Sequence, residues 1–428
     1  MPAARLKIAV VGGGVSGLTA AHLLHPDHDV TVFEAEPRLG GHANTIAVAD
    51  PAGELGVDTG FIVFNDRNYP LFAELLDELG VATQPSVMGM SIALNDGSFE
   101  YANTRNGLFA QPRMAVDPRF WKLISDHRRF CRDVRPMIGR ADAPSVAEFL
   151  RDGGYSHWYV ERAMVPQVAA VWSADPAQLE TFPVGFLAEF LANHGQLRQR
   201  GRPRWRTITG GSRRYVEALC APFADRVRTA AAVRRIEREP GGVVVEADRC
   251  ETERFDEVVI AAHSDQALAM VAGATQAERS VLGAIAYQPN QAVLHTDPTL
   301  MPRRRRAWAS WNFHLGAEPR DRATLTYWMN NLQGLQTNRD YFVTLNLGER
   351  VEASSVLGRF NYSHPVIDHA AFAAQRRWEE ISGRDRIHYC GAYWRWGFHE
   401  DGCWSAHRAC RSLLAESRAV APLQELAA

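Results

Sequence analysis

The opening of the chain constrains it most. Residues 6–11, Leu-Lys-Ile-Ala-Val-Val, run directly into Gly12, Gly14 and Gly17 set as G-x-G-x-x-G. A short, nearly continuous apolar run reads as a strand buried on both faces of a parallel sheet. Behind the glycines, Leu18, Ala21, Leu23 and Leu24 recur at helical spacing, and Asp29 to Phe33 forms a second strand ending at Glu34. Strand, glycine turn, helix and strand in that order begin a doubly wound α/β sheet. The glycine triplet alone is a weak signal. Its setting between strand and helix, with an acid at the tip of the second strand, makes it a dinucleotide site.

Each residue type has a physical reason to be there. Gly12 permits the tight turn, Gly14 lets the backbone approach a pyrophosphate, and Gly17 lets helix and strand close together. The first helical turn, at Val15 and Ser16, offers free N–H groups and a partial positive charge to the phosphates. Glu34, followed by Ala35, is placed to accept from the ribose hydroxyls, and its charge argues against a 2′-phosphate.

Further along, the spacing predicts helices over residues 69–79, 117–138 and 183–194, with Pro136 marking the last turn of the second. Ser145 with Glu148 reads as a capping box. Strand patterns return at 230–238, 242–247 and 258–262, then at 291–295, 323–329 and 341–345. A last strand at 388–390 precedes a helix over 403–414. These patterns predict an α/β chain with a Rossmann-type dinucleotide-binding domain in three pieces, 1–80, 205–265 and 380–428. A mixed α+β substrate domain would take 81–204 and 266–379, with a helical insertion at about 105–200.

Composition narrows the function. At 428 residues, with 46% hydrophobic and 22% charged residues, the chain is globular and long enough to bury a core without staples. Six cysteines show neither C-x-x-C nor zinc spacing, so the expectation is reduced thiols and no metal. Without a signal-like or membrane-spanning apolar run, the expected location is cytoplasmic, peripheral at the inner face of the membrane. The net charge of -2 conceals basic segments at 113–140, at 198–214 and at Arg303 to Arg306. No nucleic-acid module accompanies them, so an anionic membrane surface is the expected partner, with Trp308 and Trp311 beside the last run as interfacial anchors.

The residues after Glu34 distinguish NAD from FAD. Ala35-Glu36-Pro37-Arg38-Leu39-Gly40-Gly41-His42 and Asp58-Thr59-Gly60-Phe61 resemble the flavin amine oxidase and phytoene desaturase superfamily. So do Gly391-Ala392-Tyr393 and Gly397-Phe398-His399-Glu400-Asp401-Gly402. The resemblance implies FAD held by Gly12, Gly14, Val15, Ser16, Gly17, Glu34, Ala35, Gly40, Gly41, His42, Thr59, Gly60, Phe61, Ile62, Val233, Gly391, His399, Glu400, Asp401 and Gly402. It also implies that the last block folds back onto the flavin ring, with a helix N-terminus against it. Two departures stand out. His42 occupies a position that is usually Arg in this superfamily. The only lysines, Lys7 and Lys122, lie outside the half that usually supplies a lysine near flavin N5.

Val171-Trp172-Ser173, Tyr362-Ser363-His364-Pro365-Val366-Ile367-Asp368, Gly41-His42-Ala43-Asn44-Thr45 and the C-terminal block resemble most closely a bacterial subgroup of FAD-dependent acyl desaturases of furan fatty acid synthesis. This implies a methylated, phospholipid-borne acyl chain as substrate and a lipid methyltransferase as pathway partner. His399 and Glu400 are the candidate acid–base residues, with His263 and His364 behind them. Tyr393, Trp394, Trp396, Phe398 and Trp404, with Trp172, are candidates for an acyl tunnel wall. A fatty acid double-bond isomerase, an amine or carotenoid oxidase, and a non-enzymatic carrier are the competing readings. Net electron transfer to the flavin separates them.

Overall fold

The computed structural model describes residues 5–104, 106–172, 176–197, 203–316 and 323–420. Its centre is a five-stranded parallel sheet in the order Val227–Arg228, Asp29–Phe33, Lys7–Val11, Glu257–Ile260, Ile387–Tyr389. The central strands become neighbours though distant in sequence because each is buried along nearly its whole length and finds that burial only inside a covered sheet. Two helices, Val15–Leu24 and His399–Val420, cover one face together. Their contact is built from small residues. A Cβ on Gly402 would meet Val15 Cγ1 at 2.6 Å, while Cys403 Sγ lies 3.6 Å from Thr19 Oγ1. The fold is therefore the α/β, Rossmann-type architecture expected.

A second, seven-stranded sheet runs in the order Val356–Pro365, Tyr287–His295, Phe342–Leu345, Leu325–Trp328, Trp311–Leu315, Met90–Leu94, Glu100–Ala102. It is antiparallel except where Trp311–Leu315 runs parallel to Met90–Leu94. The segments that read as scattered strands are therefore one sheet. A smaller meander, Val233–Glu239, Gly242–Ala247 and Glu253–Phe255, flanks the parallel sheet. Helices Pro118–Asp133, Val146–Asp152, Val165–Trp172 and Val184–Asn193 share a separate apolar core that includes Phe130, Tyr159, Phe186 and Trp172.

Local expectations shift in physically sensible ways. The helix expected to reach residue 138 ends at Asp133 and passes into a 3₁₀ turn at Arg135–Met137, because Pro136 has no N–H to continue the ladder. The strand expected from Ala230 begins at Val233. Ala230 itself is left-handed (φ 51°) and donates its N–H to Glu36. The last helix starts earlier than expected, at His399. The capping box forms with both hydrogen bonds. No disulfide joins any of the six cysteines, all of which lie among the described residues. Ser173 and residues 198–202 of the basic segment lie outside the described residues.

One side chain ties the hairpin Thr45–Asp50/Gly53–Asp58 to both halves of the molecule. Asp58, fully buried, accepts from Thr45 Oγ1 at 2.6 Å, Ser212 Oγ at 2.7 Å, Ser212 N at 2.9 Å and Gln333 Nε2 at 2.9 Å. Its own N–H donates to Gln333 Oε1 at 2.9 Å. Burial pushes the carboxyl up to about 6 against these donors. Replacing Asp58 by Ala leaves several buried donors without an acceptor. Urea unfolding of Asp58→Ala is expected to show a loss on the order of 3 kcal/mol.

Candidate functional site

The two sheets and the helical cluster enclose one continuous cleft of about 2700 Å³. That exceeds the roughly 300–1,000 Å³ of an ordinary ligand pocket and leaves room for a dinucleotide and a long substrate together. At its first end Gly12, Gly13, Gly14, Val15 and Ser16 meet Glu34, Ala35, Gly40, Gly41 and Val233. Gly12 needs its positive φ of 112°, and a Cβ on Gly17 would collide with the Gly12 carbonyl. Gly17 therefore works through close contact and does not line the cleft. Gly14 differs: its backbone is extended, and a Cβ there would meet nothing within 4 Å.

That open space is the cradle itself. The first helix has no side-chain cap, so its leading N–H groups face the cleft unclaimed by the chain. Glu34 accepts from Gly13 N at 2.6 Å and Glu36 N at 2.8 Å, and each oxygen keeps a lone pair for a ribose hydroxyl. These residues fit a dinucleotide. Thr59, Gly60, Phe61, Ile62, Gly391 and His399 line the next stretch of the cleft, where the flavin ring of FAD would lie. Here Tyr362 Oη is bonded to Thr59 Oγ1 at 2.8 Å and receives Asn44 Nδ2 at 3.0 Å.

The candidate acid–base residues separate. His399 lines the cleft, but its Nε2 pairs with Tyr215 Oη at 3.0 Å and its ring stacks on Phe61 with centroids 3.5 Å apart. Burial drives its pKa well below the usual range. Glu400 does not line the cleft. Its oxygens accept from Leu71 N at 3.2 Å and Phe72 N at 3.0 Å, which caps the helix Pro70–Glu78. Asp401 accepts from Phe398 N at 2.9 Å at the start of its own helix, and burial raises its pKa to about 7. Gly402 serves helix contact, as described above. Of the four consecutive residues His399 to Gly402, only His399 thus lines the cleft, and the other three fix its frame.

A histidine group forms the cleft wall instead. His42 stacks on His364 at 5.5 Å and packs against Tyr362 at 5.1 Å and His263 at 6.1 Å. Burial and mutual repulsion lower His42 and His263 to about 4 and His364 to about 3. All three are therefore neutral at physiological pH. His42 Nε2 is buried without a hydrogen-bond partner among the described residues.

Beyond the histidines the cleft continues into an arm. Met88, Met90, Ile92, Leu108, Leu123 and Ile124 line it, and Trp172, Phe190, Trp396 and Phe398 wall its side. Of the expected aromatic wall, Tyr393, Trp396, Phe398 and Trp172 line the cleft, whereas Trp394 and Trp404 do not. Arg128, Arg132, Arg135 and Arg204 line it too. The Arg303 to Arg306 run lies elsewhere. Arg304 pairs with buried Glu100 at 3.0 Å, and Arg305 pairs with Asp340 and covers Trp308 at 3.7 Å. Trp308 and Trp311 are both partly buried, so neither stands out as an interfacial anchor. The methionines of the arm gave no signal in the sequence. Leu123, Ile124, His127 and Cys131 did, but an amphipathic face reads the same whether it meets a core or a cleft.

Comparison with known proteins identifies the group that fits the cradle. The model of the family described as flavin containing amine oxidoreductase matches residues 15–332. AofH of Mycobacterium tuberculosis, assigned to the flavin-containing monoamine oxidases, is 27% identical over 262 residues, which is 58% of this chain and 55% of that protein. Coproporphyrinogen III oxidase of Mycobacterium leprae is 30% identical over 205 residues, 38% of this chain and 45% of that protein. The chain thus spans about half the length of these relatives. Among solved structures, cyclohexylamine oxidase from Brevibacterium oxydans superposes with a TM-score of 0.70 at 16% identity, covering 97% of this chain and 100% of that one. The CLA-producing fatty acid isomerase from P. acnes gives 0.70 at 16% identity, covering 95% of this chain and 98% of that one. At that identity the likeness establishes the fold. The cofactor is FAD.

Because Gly14 has an unstrained backbone and open space beside it, Gly14→Val should fold normally and fill the pyrophosphate's place. Purified Gly14→Val is expected to match the wild type in far-UV circular dichroism while carrying little or no flavin absorbance. Retention of one flavin per chain would contradict the assignment of the cradle.

Proposed function

The chain belongs to the flavin-containing amine oxidoreductase family, and within that family we propose that it desaturates a fatty acyl chain carried by a membrane phospholipid. The observation that carries this reading is the arm of the cleft. Among the described residues, the only carboxylates lining the whole cleft are Glu34 and Glu36, both at the dinucleotide end, and no lysine lines it. A substrate ammonium would find no counter-charge along the arm, whereas an alkyl chain finds methionine, leucine, isoleucine and tryptophan. The arginines at the arm suit an anionic end group, whether carboxylate or phosphate.

Desaturation removes a hydride and a proton from adjacent positions; bound FAD supplies the hydride acceptor. The chain's own residues orient and desolvate. Phe61 and His399, stacked on one another, would form part of the wall that holds the flavin ring, and the arm would hold the acyl chain. The proton acceptors at hand, Nε2 of His42 and the ring of His364, are neutral but too weakly basic to hold a proton for long. Such weak bases suit a substrate whose hydride leaves readily, such as a methylated, allylic acyl chain. A lipid methyltransferase would then act one step earlier. His42 and His364 replace His399 and Glu400 as the proposed proton-handling residues, because Glu400 is committed to helix capping.

A second reading, double-bond isomerisation, draws on the same arm and on the fatty acid isomerase among the structures of like fold. Electron count separates the two. Mixed anaerobically with an unsaturated or methylated acyl phospholipid, the holoprotein should lose its 450-nm flavin absorbance in a single turnover and yield one new double bond per flavin. Product with moved double bonds and fully oxidised flavin would establish the isomerase reading instead. Bleaching by amines but not by acyl lipids would overturn both.

A further inference from the structure

Six large hydrophobic side chains stand exposed among the described residues, and four of them fall in one stretch: Phe109 (37%), Val116 (82%), Trp121 (50%) and Ile138 (42%). This stretch is also one of the basic segments, with eight cations against three acids over 113–140. Exposed apolar side chains set among cations are the composition of a surface that partitions into an anionic interface.

The helix Pro118–Asp133 organises the arrangement. At 100° per residue, Trp121, Ser125, Arg128 and Arg132 fall within about 60° of one another on its outer face. All four are exposed. Val116 precedes the helix and Ile138 follows it, so apolar side chains bracket the basic stripe at both ends. Phe109 packs against Trp121 with ring centroids 6.0 Å apart, and Trp121 Nε1 donates to Ala115 O at 2.9 Å, which holds the indole at the surface. Arg128 and Arg135 have no carboxylate partner among the described residues, so their charge is available to a ligand.

The same helix borders the cleft. Leu123, Ile124, His127 and Cys131 line it from the inner side, and Arg128 and Arg132 line it from the edge of the outer stripe. One element therefore presents its outer face to solvent and its inner face to the arm, with arginines where the two meet. From this we infer that the outer face of Pro118–Asp133, with Phe109, Val116 and Ile138, docks on an anionic lipid bilayer and passes an acyl chain beneath Arg128 and Arg132 into the arm. The inference rests on the acyl-lipid reading for the nature of the cargo. Arg132 also pairs, with Asp133 at 2.8 Å, so pairing does not separate this surface from the Arg303 to Arg306 run. The run is the poorer surface because its tryptophan is covered by Arg305 and none of its arginines lines the cleft.

Flotation of the holoprotein with vesicles tests this. Wild type should float with phosphatidylcholine vesicles containing phosphatidylglycerol, less with phosphatidylcholine alone, and less as salt rises. Val116→Glu/Trp121→Glu should lose at least about tenfold in partitioning. Arg128→Gln/Arg132→Gln should lose about fivefold per arginine and most of the preference for phosphatidylglycerol. Flavin content and circular dichroism check that each variant is folded, and Arg303→Gln/Arg306→Gln should float like wild type. Flotation of folded Val116→Glu/Trp121→Glu equal to wild type overturns the inference. A dimer in sedimentation that this double variant dissociates also overturns it, by giving the face to a second copy of the chain. Turnover of detergent-dispersed acyl lipid is measured in parallel. Turnover without flotation sinks the docking face and leaves the desaturase, while flotation without turnover does the reverse.

Discussion

The cleft exists because Asp58 holds three segments in one place. Its carboxylate gathers Thr45 of the hairpin, Ser212 before the helix Arg213–Cys220, and Gln333 beside the seven-stranded sheet. The parallel sheet carries the dinucleotide cradle and the larger sheet carries Tyr362 and His364. Neither sheet alone makes a site. A fully buried carboxylate is costly to desolvate, and only a full set of donors offsets that cost. Thr59, immediately after Asp58, is thereby fixed against Asn44 and Tyr362, and Phe61 against His399. This buried carboxylate thus sits one residue from Thr59 in the cleft wall.

From that node the site divides by chemistry. The dinucleotide end is built from backbone: glycines, a helix N-terminus and one acid. The middle is built from neutral imidazoles and aromatic rings, dry enough that His42 and His364 stay uncharged. The arm is built from apolar side chains, and Arg128, Arg132, Arg135 and Arg204 line the same cleft. Apolar side chains and arginines both line the cleft beyond the dinucleotide end, a lining that suits a ligand with an apolar body and an anionic group.

The dinucleotide end was legible in the sequence because its rules are local. Gly12, Gly14, Gly17 and Glu34 lie within one strand–helix–strand unit, where spacing alone fixes geometry. The central strands of the parallel sheet were legible for the same reason: Lys7–Val11, Asp29–Phe33 and Glu257–Ile260 are short, mostly apolar runs, whereas the two-residue edge strand Val227–Arg228 carries no such signal. The seven-stranded sheet was not. Met90–Leu94 pairs in parallel with Trp311–Leu315, more than two hundred residues away, and no local pattern encodes that register. The C-terminal motif illustrates a different limit. His399, Glu400 and Asp401 are adjacent in sequence, yet helical geometry turns only His399 to the cleft and gives the two acids to backbone N–H groups. Motif order identified the block but not which of its side chains faces the ligand. The arm was legible only in part: Trp172, Trp396 and Phe398 were candidates for its wall, but Leu123 and Ile124 carry the pattern of a buried core face, and only tertiary structure reveals that they border the cleft as well as a core.

The central claim is that one continuous cleft holds both FAD and an acyl chain. Photolabelling with a diazirine-bearing acyl phospholipid, followed by peptide mass spectrometry, tests it most directly. The account predicts labels on Met88, Met90 and Ile92 and on Leu123, Ile124 and His127, suppressed by excess unlabelled lipid and present only in folded protein. Labels confined to residues outside the cleft, or not displaced by competing lipid, would contradict it.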